Sequence, residues 1–446
     1  MSQSEDKEMM QKQYCREDGL NQQGATREVK KQCFNRDGGR KTAAFFVLKS
    51  SRRTICLLCL LSSILLSACS NGGDQYTLIK EWPADSMYAN DSDIEEQSSK
   101  GGNKIEKVGM VTDVGGINDE SFNQASWEGL KALTKETGVV TGYEESKDET
   151  DYIKNFQKLI DSGCTMCWGV GYNMADSLLK IAKDHPEISF GIVDNTYEIM
   201  EDNITCVTFR AQEPSFLVGY IAAAVTVTSR MGFVGGVRGE IIDQFEYGFL
   251  SGVAYANKVL GKNVTVVSEY ADSFADPDKG KEIALKMYAS GCDIIYHASG
   301  ATGLGVIKAA DQCETFVIGV DRDQSYLATD NVLTSALKNV DIAINKVSQE
   351  YLRGKDIGGQ TISFGLAEGG VGIPVTHFNY PDEVYDDALE VADEIKAGKI
   401  VPPASEEAYG LFLKESKAGD PRRDMKAQES VSGNQAEAGR ESVSGN

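Results

Sequence analysis

From Lys107 onward, short uninterrupted apolar runs alternate with longer segments in which apolar residues recur every three or four positions. The runs at 108–112, 139–144, 165–170, 188–193 and 204–209 read as strands. The periodic segments at 121–136, 151–161, 174–184 and 213–227 read as amphipathic helices between them. Strands that are apolar throughout, rather than alternating, are covered on both faces, so the sheet they form is parallel. At Ser229-Arg-Met-Gly the pattern restarts, with strands at 231–235, 264–269, 293–297, 316–320 and 332–336 and helices at 243–260, 278–289, 303–311 and 340–352. The fold class is therefore α/β, with two doubly wound parallel sheets in two lobes. Lobes of similar size imply a cleft between them, a favoured position for a ligand. The first lobe is expected to span 104–228 and to be completed by about 339–414, with the second spanning 229–338. Within the closing segment, Gly365, Gly369, Gly370 and Gly372 and a helix at 382–397 are expected to cross back to the first lobe.

In open α/β sheets, ligands bind beyond the carboxyl ends of the strands. Asp113, Asp194, Asp321 and Lys338 each stand where a strand is expected to stop, and His297 ends another. The turn after the first strand adds Asn118, Asp119, Ser121 and Phe122. Carboxylates accept more than one hydrogen bond and so suit the hydroxyls of a sugar, while a lysine donates to sugar oxygens and offsets the carboxylate charge. Phe122, Tyr172 and Tyr296 offer faces for a flat ring, each stack contributing about 1 kcal/mol beyond burial. Any one of these aspartates alone could equally be a helix cap or a surface charge. Their convergence on one edge is what marks a site.

The loop Gly300-Ala-Thr-Gly-Leu-Gly305 reads as close backbone approach to an uncharged ligand, because a phosphate would meet the surrounding aspartates. It does not follow the dinucleotide spacing, and no P-loop is present. The chain has three histidines and lacks G-x-S-x-G, H-E-x-x-H and the D-x-D-x-D run of a calcium loop. No catalytic residue, cofactor or metal is expected.

The length of 446 residues and hydrophobic content of 41% support one large or two medium domains. A net charge of −22 argues against nucleic acid and anionic surfaces as partners. The N-terminus changes the compartment. Lys49, Arg52 and Arg53 precede an apolar, serine-containing run over 54–69, the pattern of a secretory signal. Its end, Leu66-Ser67-Ala68-Cys69, resembles the lipobox of bacterial lipoproteins. That resemblance implies a diacylglyceryl thioether on Cys69, cleavage before it and often acylation of the new amine. Two or more acyl chains suffice for stable anchoring, so a lipid-anchored position on the extracytoplasmic face of the cell membrane is expected. Residues 1–46 are expected to be a leader outside the mature protein, 47–68 the signal peptide and 69–103 a flexible tether. Residues 415–446, with Glu429-Ser-Val-Ser-Gly-Asn434 repeated at 441–446, are expected to be a disordered tail. Beyond Cys69 five cysteines remain, and Cys164-x-x-Cys167 has no second pair to complete a metal site. Buried, reduced thiols are expected, since residues three apart on a strand point to opposite faces.

The stretch Val108-Gly-Met-Val-Thr-Asp-Val-Gly-Gly-Ile-Asn-Asp-Glu-Ser-Phe-Asn-Gln124, with Trp127-Glu-Gly-Leu130 behind it, resembles the opening motif of the basic membrane protein family, lipoproteins that bind purine nucleosides for ABC transporters. Phe245-Glu-Tyr-Gly-Phe-Leu-Ser-Gly252, the loop at 298–305, Gly319-Val-Asp-Arg-Asp-Gln324 and Thr334-Ser-Ala-Leu-Lys-Asn339 are similar to later family blocks in the same order, and the likeness covers about 104–413. It implies a two-lobed type I periplasmic-binding-protein-like fold that sandwiches a base between aromatic rings. Phe122 would stack on the base, and Asp321 and Lys338 would hold the ribose. Asp113, Ser121 and Asp194 would bind the base or line the cleft, and Gly303 would let the backbone approach the sugar. The second stacking position falls at Tyr296 or His297. The expected function is capture of a purine nucleoside (adenosine, guanosine or inosine) for an ABC permease, without catalysis. The alternatives are a sugar or signal-molecule receptor of the same fold and a nucleoside-cleaving enzyme.

Overall fold

The computed structural model describes residues 107–418. Cys69, the signal segment, the tether and the repeated tail lie outside the described residues. The first apolar runs become β1 (Lys107–Val111), α1 (Phe122–Thr137), β2 (Val140–Glu144), α2 (Tyr152–Asp161), β3 (Met166–Val170), α3 (Ala175–Asp184), β4 (Ser189–Val193) and β5 (Ile204–Phe209). Then come α4 (Gln212–Val225), β6 (Arg230–Gly235), α5 (Glu240–Leu260), β7 (Thr265–Tyr270), α6 (Pro277–Ala289), β8 (Ile294–Ala298), α7 (Gly303–Cys313), β9 (Phe316–Asp321) and β10 (Val332–Lys338). The chain closes with α8 (Val340–Leu352), β11 (Gln360–Phe364), β12 (Val371–Gly372), α9 (Asp382–Lys396) and α10 (Glu406–Ala418).

These strands form two six-stranded sheets in the orders β11-β5-β4-β3-β1-β2 and β12-β10-β9-β8-β6-β7. The first is parallel throughout, and in the second only β12 runs antiparallel, against β10. The central strands β3 and β8 are buried along their whole length, the burial that uninterrupted apolar runs require. In lobe 1, α1 and α8 contribute Leu130, Leu133, Ile344 and Val347 to one face of the sheet, and α2 and α3 contribute Phe156, Leu159, Leu178 and Ile181 to the other. Trp168 of β3 donates its indole N–H to Ser348 Oγ at 2.9 Å, tying the sheet to α8 inside the core.

The lobe boundaries differ from those expected. Helix α4 precedes the restart at Ser229 and is expected in the first lobe, yet it packs against α5 and β10. Eleven of its residues are buried, so it needs partners on nearly every side, and the second lobe supplies them. The α4–α5 contact is backbone-close: a Cβ added at Gly252 would overlap the Phe216 carbonyl. Of the closing segment, only α8 and β11 return to lobe 1; β12 joins the second sheet, α9 packs on α4 and α10 on α5. Hydrophobic periodicity identifies a helix but not which sheet it covers.

Strand alternation does not separate the cysteine pair, because β3 begins only at Met166. Cys164 lies in the turn before β3, with its thiol 3.8 Å from Ser162 Oγ and hydrogen-bonded to the Cys167 thiol. The five described cysteines are free thiols, and all but Cys313 are buried.

Candidate functional site

The turn from β1 into α1 is built by two aspartates. Ser121 stands at the N-cap position of α1 without capping it. Asp119 does that work instead: its carboxylate accepts the backbone N–H groups of Ser121, Asn123 and Gln124 at 2.8–3.0 Å. Three free N–H groups at a helix start are thereby satisfied by one side chain. Asp113 accepts from Gly115 N at 2.8 Å and from Asn123 Nδ2 at 2.7 Å. Burial pushes its carboxyl up to about 6 against those hydrogen bonds. With Asp119 occupied by the cap, the Ser121 hydroxyl is free to reach across to Asp321 of the other lobe.

Between the lobes lies a cleft that, with the solvent space open to it, encloses about 620 Å3. Lobe 1 lines it with Asp113, Phe122, Asn123, Tyr172, Asn173 and Asp194. Lobe 2 contributes Phe245, Phe274, the loop Ala298–Ala301, Asp321 and Lys338. Lys338, 2% exposed at the end of β10, forms an ion pair with Asp194 across the cleft. Its ammonium stands 4.7 Å from the Phe122 ring centroid, 5.2 Å from that of Phe209 and 5.7 Å from that of Phe245. Burial raises the Asp321 carboxyl to about 6, with the Lys338 charge and the Ser121 hydroxyl opposing.

Asp194 and Asp321 follow or end corresponding strands, β4 and β9, of the two sheets, and both have φ of 65°. Aspartate tolerates this left-handed conformation better than most residues. Such conformations persist where the surrounding structure holds them, often at ligand sites.

Of the residues expected at the site, Asp113, Phe122, Asp194, Asp321 and Lys338 come together on the cleft wall, with Ser121 bonded behind Asp321. Tyr296, His297 and Gly303, also expected there, do not line it. Tyr296 is wholly buried between Phe233 and Phe249, with its hydroxyl 3.0 Å from Ser215 Oγ of α4. His297 is wholly buried, its Nε2 3.0 Å from Gln324 Oε1 and its Nδ1 3.5 Å from Ser299 Oγ. Burial pushes the imidazole down to about 4, so it is neutral near pH 7. The reason is a single residue of register: β8 runs on to Ala298, and it is Ala298 with the Ser299–Ala301 segment after it that faces the cleft.

Gly303 is small for the sake of the same histidine. A Cβ there would fall within the His297 ring. Gly303→Ala is therefore expected to lower stability by roughly 1–3 kcal/mol, the range of an overpacked core, measured as a loss of Tm. A wild-type Tm would refute this close contact.

Phe245 and Phe274 were missed as cleft residues. Phe245 had a signal: it lies on the helix after the first strand of the second lobe, as Phe122 does in the first. Phe274 sits in the loop after β7 and had none.

Comparison with known proteins agrees with this architecture. The Bmp family model, described as ABC transporter substrate-binding protein PnrA-like, matches residues 106–406. Basic membrane protein A of Borreliella afzelii is 38% identical over 316 residues, covering 70% of this chain and 95% of that protein. The CD4+ T-cell-stimulating antigen of Listeria innocua is 37% identical over 333 residues, covering 70% and 92%. Among solved structures, an ABC transporter solute-binding protein from Aeropyrum pernix K1 is similar with a TM-score of 0.63 at 26% identity, over 70% of this chain and 98% of that one.

Proposed function

Because the chain belongs to the Bmp family of ABC transporter substrate-binding proteins, we propose that its ligand is a purine nucleoside, captured in the interlobe cleft and delivered to a membrane permease while the protein is held by a lipid on Cys69. The observation that carries this reading is the surrounding of Lys338. Its ammonium has Phe122 of one lobe and Phe245 of the other within 6 Å, with Asp194 and Asp321 beside it. Aromatic faces suit a flat base. A carboxylate–ammonium–carboxylate group suits a ribose diol, whose hydroxyls donate to the carboxylates and accept from the lysine.

Calorimetric titration of the protein with adenosine, guanosine, inosine, uridine and ribose, followed by product analysis, tests the proposal. Tight binding of purine nucleosides that are recovered intact is expected. Ribose binding as tight as nucleoside binding would favour the sugar receptor, and free base among the products would favour the hydrolase.

The buried carboxyls also set a pH dependence. A diol needs an ionised acceptor, so protonating Asp321 removes one, and binding in turn favours the ionised form. Affinity should therefore fall as pH drops through about 6, by at most about tenfold per pH unit for each group. Asp113 titrates in the same range. Asp321→Asn should flatten the profile to the part Asp113 contributes. Titrations at about pH 7.5 and about pH 5 check this, with reference to the ordinary carboxylate range near 4. Equal affinity at both pH values would remove the carboxylates from the recognition.

A further inference from the structure

Outside the cleft, a second set of contacts joins the lobes. We infer that residues 120–128 of lobe 1 and 322–326 of lobe 2 form a latch that holds the lobes closed independently of the ligand, with Arg322 as its centre.

Arg322 follows β9 in the connection to β10. Its two terminal nitrogens reach both carboxylate oxygens of Glu128 on α1, at 3.3 and 3.2 Å. The same guanidinium is 3.9 Å from the Glu120 carboxylate, and its side chain is only 10% exposed. A bidentate arginine–carboxylate pair is geometrically specific, and partial burial spares it the solvent screening that weakens surface pairs. Glu128 is itself oriented by Gln124 Nε2 at 3.3 Å.

Glu120 is gripped three ways. Besides Arg322, its carboxylate accepts from the Tyr326 hydroxyl, and its backbone carbonyl accepts from Gln324 Nε2 at 2.9 Å. Gln324 cannot turn away, because its Oε1 is held by Val320 N and His297 Nε2 and its own N–H by Ser335 Oγ. That finds a use for the buried histidine: it donates to Gln324 Oε1 and so aims the amide across the lobe boundary. Glu120 has φ of 52°, an uncommon conformation for glutamate that these partners hold in place.

None of Glu120, Glu128, Arg322, Gln324 and Tyr326 lines the cleft. The latch contacts are made between protein groups, so they favour the closed arrangement whatever ligand is present. By linkage, a device that favours the ligand-competent closed state raises apparent affinity and slows release.

Hydrogen exchange measured by mass spectrometry on the ligand-free full chain tests the latch. Arg322→Gln and Glu128→Gln should each speed exchange roughly tenfold in the two cleft walls, near 113–123 and 298–301, by removing one partner of a half-buried pair. The sheet cores β3 and β8 should exchange as in the wild type. The double variant should be no worse than Arg322→Gln alone, because that substitution already removes the pair with Glu128. Tyr326→Phe, at a half-exposed side chain, should shift exchange in the same direction by less. Unchanged cleft exchange in both charge variants would overturn the latch. So would additive effects, or faster exchange spread through β3 and β8, which marks plain destabilisation. No ligand enters the measurement, so a failure of the nucleoside reading leaves this result standing.

Discussion

Lys338→Met is expected to lose purine-nucleoside affinity by roughly 100-fold or more, the consequence of removing one partner from a buried, hydrogen-bonded charge group. Methionine keeps the length and the apolar stem that packs among Phe122, Phe209 and Phe245. It removes the ammonium that pairs with Asp194 and lowers the Asp321 carboxyl. Two buried carboxylates from opposite lobes then face each other uncompensated. Breaking a buried ion pair in this way costs about 3–5 kcal/mol, so stability should fall along with binding.

The stability loss has a predictable pH dependence. The Asp321 carboxyl is already raised from 3.8 to about 6 by burial, and losing the ammonium raises it further. A group whose folded-state value is raised adds stability that is fully present below its unfolded value and disappears as pH rises through the folded value. The variant's deficit should therefore be largest above about pH 6 and shrink on acidification, as protonation discharges the pair. Thermal unfolding at several pH values beside the calorimetric titration reads both effects. Wild-type affinity in Lys338→Met would remove the lysine from ligand recognition. A deficit that deepens on acidification would mean that the carboxylates gain other compensation.

Phe122→Ala should weaken nucleoside binding by roughly 10- to 100-fold, since loss of a ring stacked on a base costs about 1–3 kcal/mol. The ring is half-buried at the first residue of α1, and the turn before it is held by Asp119 through backbone groups that the substitution leaves in place. The fold should therefore tolerate the change with a small loss of Tm. The sharper readout is selectivity: binding of free ribose should change little, so the preference for nucleoside over ribose should collapse, while Phe122→Tyr should keep it. A selectivity ratio unchanged in Phe122→Ala would show that Phe122 is not the face on which the base rests. The same substitution should also relax the cation–π contact with Lys338, so a rise in affinity for an anionic analogue is the outcome to watch for beside it.

Much of the architecture could be read along the chain because parallel sheets impose a local signature. Strands covered on both faces must be apolar without interruption, and crossover helices must carry one apolar stripe, so nearly every element up to Leu352 stands within a few residues of its expected limits. The strand ends followed from the same pattern. Asp113, Asp194, Asp321 and Lys338 were legible because a charged residue closing an apolar run is visible without knowing its neighbours. After Leu352 the signal weakens: β11 and the two-residue β12 are short, and the turn glycines around them say nothing of their partners. The family resemblance supplied the ligand-holding roles that no local pattern could.

By itself, then, the sequence determined two βα lobes, the carboxylates and lysine at their edges and the ring of Phe122 in the turn that faces the cleft. Those properties depend on residues close together in the chain. Only the tertiary structure decided that α4 covers the second sheet, that Asp119 rather than Ser121 caps α1, and that Phe245 rather than Tyr296 or His297 shares the cleft. Each of these turns on which distant surface a side chain meets, or on one residue of strand length. The pattern of apolar positions repeats on such a scale without resolving it.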